Sequence, residues 1–289
     1  MINNFALIIG AMKCGTTSLF NYLAQHPEIA VGRYKEVSFF SIAKNYARGF
    51  DYYQSLWNWD ENIHKFALEA TPGYTQVTHQ DPANAAENIA KIQSEFGVNF
   101  KFIYIIRDPL KRIESHYLHN ALEAYKVDIG GLKEVSTISQ DIIDTSKYAR
   151  QLDEYYQRFS ADSIFLLDFA QFTANPQQSL SQICRFLDID DSFQFEQTQV
   201  VYNSSERLRL NIPLLHNFRY TRFVKYLRSL VPKEQKSVLK SMFGTKYDAS
   251  FKLPESLKTE IITELRPDIA KLHHNYHFDV SSWNIELQD

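Results

Sequence analysis

Cysteine is scarce, two residues in 289, which is too few for a disulfide framework and fits a reducing interior with free thiols. Glycine and proline number nine each, so collagen-like and low-complexity chains are excluded. No stretch approaches the roughly 20 apolar residues needed to cross a bilayer. The apolar opening Phe5-Ala6-Leu7-Ile8-Ile9 is too short for a signal-peptide core and has no basic flank before it. Neither sign of charge dominates: 31 Lys and Arg stand against 34 Asp and Glu, a net charge of −3. No global basic field therefore recruits nucleic acid or an anionic membrane, and any anion site must be local. The expectation is a soluble, cytoplasmic chain without leader or anchor. What is present is ordinary globular composition, 44% hydrophobic and 22% charged, with no repeats and length for one large domain or two small ones.

Apolar runs and capping residues alternate along the first two thirds. Phe5 to Ile9 is a continuous apolar run ending in Gly10, and Gly15 to Gln25 then carries Leu19, Phe20 and Leu23 at helical spacing before Pro27, predicting strand, loop, helix. Lys65 to Ala70 is a second strand candidate, followed by the turn Thr71-Pro72-Gly73 and a helix with Asp81 as N-cap, Pro82 at its first position and Gly97 at its end. Lys101 to Ile106 reads as a buried strand, and Asp108 and Pro109 then open a helix through about Tyr125. Ser163 to Asp168 is a further strand, and Asn175-Pro176 opens a helix bearing Leu180, Ile183 and Leu187. Strands alternating with capped helices predict an α/β fold with a central parallel sheet flanked by helices. Beyond Phe195 the pattern turns helical, punctuated by Pro213, Pro232, Pro254 and Pro267, with no Gly/Ser linker. The reading is one domain, 1–289, with a helical C-terminal third.

In open parallel sheets ligands bind beyond the carboxyl ends of the strands, where helix N-termini offer unpaired N–H groups to anions. Gly10-Ala11-Met12-Lys13-Cys14-Gly15-Thr16-Thr17 occupies that place and has the glycine spacing of a Walker A loop. Thr16 stands where a nucleotide triphosphatase carries its Lys, and the Lys has moved to position 13. There it would reach the bridging oxygen of a bound anhydride, with Cys14, Gly15, Thr16, Thr17 and Ser18 around the other oxygens. A glycine turn with a solvated Lys is the plain alternative.

At these residues the chain resembles the sulfotransferases that use 3′-phosphoadenosine 5′-phosphosulfate (PAPS). Their sulfate-side loop reads as a strand followed by G-x-x-K-x-G-T-[TS], and Phe5 to Thr17 is similar almost throughout. Their second nucleotide motif, R-D-P with a Ser eight residues after the Arg, matches Arg107-Asp108-Pro109 and Ser115. The P-loop-like fold, PAPS as co-substrate, 3′-phosphoadenosine 5′-phosphate (PAP) as product and the absence of a metal requirement all follow from the resemblance. An Arg at a strand end supplies a planar charged fork for the 3′-phosphate, and Ser115 a hydroxyl. The alternatives are an Arg107–Asp108 ion pair and a solvent-facing Ser115.

Lys35-Glu36-Val37-Ser38-Phe39-Phe40 resembles the K-E-x-x-F-F stretch of the heparan-sulfate and related carbohydrate sulfotransferases, which implies Glu36 as general base. An exposed Glu36 paired with Lys35 is the competing reading, and His79 is a weaker competitor for the base. Gly49 to Tyr53, Glu69-Ala70-Thr71-Pro72-Gly73-Tyr74, Tyr148 to Phe159, Phe186-Leu187 and Asp279 to Trp283 resemble further segments of that branch. Two departures stand out. Ala70 replaces a Lys of the E-K-[ST]-P motif, and the K-G-R nucleotide loop is missing, Asn203 to Arg209 being the nearest candidate, with Arg209 assigned to the phosphate. The resemblance implies in-line sulfuryl transfer to a hydroxyl on a glycan or glycolipid. The alternatives are a P-loop kinase or nucleotidase, a small-molecule sulfotransferase for phenols or alcohols, and a nucleotide-binding module without turnover.

Overall fold

A computed structural model describes residues 1–76, 85–123, 137–196, 198, 209–210, 245–246 and 251–287. Asp81, Pro82 and His79 lie outside the described residues, as do Asn203 to Leu208; of Arg209 only the backbone is described. The chain forms two compact units. The first comprises Met1–Tyr117, Val135–Tyr202 and Leu253–Asp289, the second Leu118–Glu134 and Asn203–Lys252.

The first unit is built on a five-stranded, wholly parallel sheet in the order β2-β3-β1-β4-β5. Its strands are β1 (Asn4–Gly10), β2 (Ile29–Val31), β3 (Phe66–Ala70), β4 (Asn99–Ile106) and β5 (Ile164–Asp168). Covered on both faces, the central strands need apolar side chains at nearly every position. Phe5 to Ile9 of β1 and Phe102 to Ile106 of β4 are accordingly all buried. Phe5 anchors an aromatic cluster, its ring centroid 5.4 Å from Tyr53 and Phe100, 5.7 Å from Trp57 and 5.8 Å from Phe50. These rings bury large areas and lock the sheet to the segment carrying α2 (Ala43–Tyr46) and α3 (Phe50–Gln54).

The helices that feed the strand ends are α1 (Thr16–Leu23), α4 (Ala85–Phe96) and α5 (Pro109–Glu123). The capping prediction at Asp108 holds: its Oδ1 accepts the N–H groups of Leu110 and Lys111 at 2.9 and 3.1 Å. After α6 (Gln140–Asp144) and α7 (Tyr148–Tyr156), the chain runs through β5 into α8 (Phe169–Ala174) and α9 (Pro176–Phe186). The long α10 (Glu255–Tyr276) carries Pro267 inside it, although the sequence placed Pro267 among the helix punctuation. The buried stripe Leu257, Ile261, Leu265, Ile269 and Leu272 holds the helix together across the lost backbone hydrogen bond. Two carboxylates of one network join α10 to α7: Asp268 accepts the N–H groups of Ala149 and Arg150 at 3.0 and 2.9 Å, and Asp153 accepts from Lys271 and Tyr276. In the second unit the described residues include the end of α5 and an antiparallel pair, β6 (Arg209–Leu210) and β7 (Thr245–Lys246). A strand pair there departs from the purely helical C-terminal third.

Strand order decides where a ligand can enter. The connection leaving β1 goes to β2 at one edge, whereas the connection leaving its neighbour β4 goes to β5 at the other. Loops that diverge from adjacent parallel strands open a crevice at their carboxyl ends.

Candidate active site at the carboxyl ends of the central strands

The loop after β1 and the Arg after β4 meet at that crevice. Ala11 donates its N–H to the Ile105 carbonyl at 2.9 Å, docking the loop on β4, and Arg107 Nη1 donates to the Lys13 carbonyl at 3.3 Å. Lys13 has φ 71, a left-handed conformation that disfavours any residue with a Cβ. Gly15, at φ 86 and ψ 16, occupies the N-cap of α1 without a side-chain capping bond. The N–H groups of Thr16 and Thr17 thus open the helix with no acceptor inside it, an arrangement suited to an anion.

Arg107 is not paired with Asp108 in the manner the alternative required, since the Asp108 carboxylate caps α5. Its guanidinium lies 4.8 Å from the Phe169 ring centroid, a cation–π contact, and its Nε is buried with no hydrogen-bond partner. A buried charged donor without an acceptor is costly unless a ligand supplies one. Tyr148 fixes the far side of the same residue, its hydroxyl donating to the Arg107 carbonyl at 2.8 Å. Phe169 also closes on the loop: a Cβ built at Gly15 would stand 2.8 Å from the Phe169 ring. Ser115 on α5 is nearly buried, so the solvent-facing alternative does not describe it.

Cys14, expected among the anion contacts, turns inward instead. Its N–H is committed to the Ala11 carbonyl at 3.1 Å, and its sulfur is fully buried 4.0 Å from the Tyr148 hydroxyl. Burial pushes its thiol up to about 11, against the downward pull of the Arg112 and Arg107 cations. Arg112 itself is fully buried, donating to Ser146 Oγ at 2.5 Å and to the Ile142 carbonyl, with His116 Nδ1 at 3.1 Å. Two guanidinium groups therefore act on the loop Cys. Sequence reasoning missed Arg112 and Phe169 and marked Tyr148 only as the start of a resembling segment, because their roles depend on strands and helices meeting in space.

Glu36 lies on the irregular segment between β2 and α2. It is 54% exposed, with Lys35 Nζ 2.5 Å from its Oε1. The pairing named as the competing reading is thus present, in a segment anchored by buried Phe39 and Phe40. The Ala70 N–H donates to the Lys35 carbonyl at 3.1 Å, so this cation-bearing residue abuts the position where the resembling motif has its Lys. Among the described residues no three His, Cys, Asp or Glu side chains are grouped to hold a metal ion, and no helix is long and apolar enough to cross a membrane.

Residues 4–243 match the family described as the sulfotransferase domain. The chain is 28% identical over 222 residues to the bifunctional heparan sulfate N-deacetylase/N-sulfotransferase 1 of Caenorhabditis briggsae, covering 69% of this chain and 24% of that protein. To the heparan sulfate glucosamine 3-O-sulfotransferase 5 of Mus musculus it is 27% identical over 224 residues, covering 72% of this chain and 60% of that one. The chain thus spans about a quarter of the bifunctional protein and 60% of the second. Among solved structures, a sulfotransferase from Alicyclobacillus acidocaldarius shares the fold with a TM-score of 0.64 at 20% identity, over 98% of this chain and 99% of that one. With the expected loop, the expected R-D-P strand end and a family match over most of its length, the chain belongs to the sulfotransferase domain family.

Proposed function

We propose that the chain transfers the sulfuryl group of PAPS to a hydroxyl of a carbohydrate or glycoconjugate. The observation that carries this reading is the meeting of the Lys13 loop and Arg107 at the ends of adjacent strands, tied by the Arg107–Lys13 hydrogen bond. A nucleotide with a 3′-phosphate and a 5′-phosphosulfate requires two anion sites side by side, and that arrangement supports the reading. The buried, partnerless Nε of Arg107 and the uncapped start of α1 fit such a co-substrate. Lys13, Gly15, Thr16, Thr17 and Ser18 take the phosphosulfate side, and Arg107 and Ser115 the 3′-phosphate.

In the transfer, the acceptor oxygen forms a bond to sulfur while the bond from sulfur to the bridging phosphate oxygen breaks. Glu36 takes the acceptor proton, and PAP leaves with its new charge stabilised by Lys13. Lys35 serves beside Glu36 as the cation for an anionic acceptor, compensating for Ala70. The carbohydrate preference draws support from the two relatives above, both heparan sulfate sulfotransferases by name. The reading keeps the chain in a reducing compartment, where the buried free thiols Cys14 and Cys184 are at home.

The test is transfer of label from PAPS to a panel of heparan-type glycans, glycolipids, phenols and steroids, with thermal shifts for PAP and for ATP with Mg²⁺ alongside. Labelled glycan and stabilisation by PAP are expected. Labelled phenol alone would move the acceptor class, and stabilisation by ATP with Mg²⁺ but not PAP would overturn the reading in favour of a kinase.

A further inference from the structure

Glu69 is a carboxylate in the middle of an apolar sheet. It is the fourth residue of β3, paired in register with Leu7 of β1, and has no exposed surface. Three hydroxyls converge on it: Tyr53 at 2.5 Å on Oε2, and Thr71 Oγ1 at 2.6 Å and Tyr74 at 2.7 Å on Oε1. A backbone hydrogen bond from Val37 adds a fourth donor. Two of these hydroxyls relay the contact further along the Glu36 segment, because Thr71 Oγ1 accepts the Ser38 N–H at 3.2 Å and the Tyr74 hydroxyl accepts the Phe40 N–H at 3.4 Å. Thus Val37, Ser38 and Phe40 are held by one carboxylate, directly or through one hydroxyl.

The segment lies outside any helix or strand and Ser38 has φ 52, so no sheet ladder fixes it. Its carbonyls are bonded separately, Val37 and Ser38 by Asn45 Nδ2 at 3.0 and 3.4 Å and Phe40 by Asn88 Nδ2 at 2.9 Å, and the Glu69 group takes the N–H side. A carboxylate accepts four hydrogen bonds, and four donors are in place. Burial raises the pKa of Glu69 and those four bonds pull it down, while burial beside Glu69 keeps the phenols of Tyr53 and Tyr74 well above the usual range and hence protonated donors.

We propose that Glu69 is a positioning residue for sulfuryl transfer: buried in β3, it fixes the backbone that follows Glu36 and thereby aims the Glu36 carboxylate. The proposal rests on Glu36 as base, but its first readout does not. Glu69→Gln retains the shape and replaces one acceptor oxygen by an NH₂ that faces a hydroxyl donor. In that variant, hydrogen exchange of the amides of residues 37–40 should accelerate at least about 10-fold, while exchange in the Lys13 loop and PAP affinity stay within about twofold of the parent. kcat should fall about 10- to 100-fold, the scale of a misaimed catalytic group. Against a Glu36→Gln background the same change should cost no further turnover, whereas a merely structural residue would add its full effect. Thr71→Val, which removes the Ser38 acceptor together with one of the four donors to Glu69 and leaves the other three, should give a smaller change of the same kind and carries the test if Glu69→Gln does not fold. Unchanged exchange at 37–40 in the folded variant, a parallel loss of PAP affinity, or additive losses with Glu36→Gln would each overturn the proposal. If the parent shows no PAPS turnover at all, the function above fails, and the exchange experiment still decides whether Glu69 holds the segment.

Discussion

Gly15→Ala probes the phosphate loop at the point where backbone and packing are both tight. The residue sits at φ 86, and the added Cβ would stand 2.8 Å from Phe169 Cε2 and 3.2 Å from its Cδ2. A left-handed alanine costs about 1–2 kcal/mol, partly offset by the 0.4–1 kcal/mol that a less flexible unfolded chain returns. Displacing the Phe169 ring by several tenths of an ångström adds overpacking of about 1–3 kcal/mol. Together these give a loss of about 1–5 kcal/mol, measurable by urea unfolding with an unchanged m value. The ring cannot move without leaving the Arg107 guanidinium, 4.8 Å from its centroid, so PAP affinity should also fall. In a Phe169→Ala background the steric part disappears, and Gly15→Ala should cost only about 1 kcal/mol, the conformational part. The same loss in both backgrounds, or no loss in either, would refute the packing argument.

Lys13→Ala should nearly abolish turnover while PAP affinity falls much less, because Arg107 and the loop backbone remain; near-normal turnover by initial-rate assay would remove Lys13 from the chemistry. Arg107→Ala should weaken PAP binding by about 1.5–3 kcal/mol in calorimetry and barely affect an analogue lacking the 3′-phosphate. Equal losses for the two ligands would make Arg107 structural. Asp268 gives a pH dependence. Burial pushes its carboxyl up from 3.8 to about 6, so between these values the folded state holds a proton that the unfolded state has released. Stability should therefore fall as pH rises through this window and level off above it, by roughly 3 kcal/mol at most. Asp268→Asn should flatten that slope in urea titrations at pH 4, 5, 6 and 7, and an unchanged slope would assign it to other groups.

Much of the fold is legible because its strands are continuous apolar runs. The runs at Phe5, Lys101 and Ser163 appear as β1, β4 and β5, and Asp108-Pro109 caps α5 through short-range bonds that sequence spacing reveals. The edge strand β2 is not legible, being three residues long with Val31 exposed, so neither length nor alternation marks it. Pro267 misleads because tertiary burial of α10 outweighs one local hydrogen bond. At the site, Lys13 and Arg107 are visible as motifs, but their hydrogen bond exists only because β1 and β4 are neighbours. Glu69 shows a signal of a different kind. An ionisable residue inside Phe66-Ala67-Leu68-Glu69-Ala70 demands partners; Thr71 and Tyr74 come from the turn that follows β3, whereas Tyr53 reaches it from α3.

We assign to Glu36, on the segment after β2 that Glu69 is proposed to hold, the role of base for transfer from PAPS. Its most direct test is one paired measurement on Glu36→Gln, turnover of PAPS with the best glycan acceptor and affinity for PAP in the same preparation. The glutamine keeps reach and shape and loses basicity, so turnover should drop about 10²- to 10⁴-fold with PAP affinity unchanged. Normal turnover by the folded variant would contradict the account and leave Glu36 as no more than the exposed partner of Lys35.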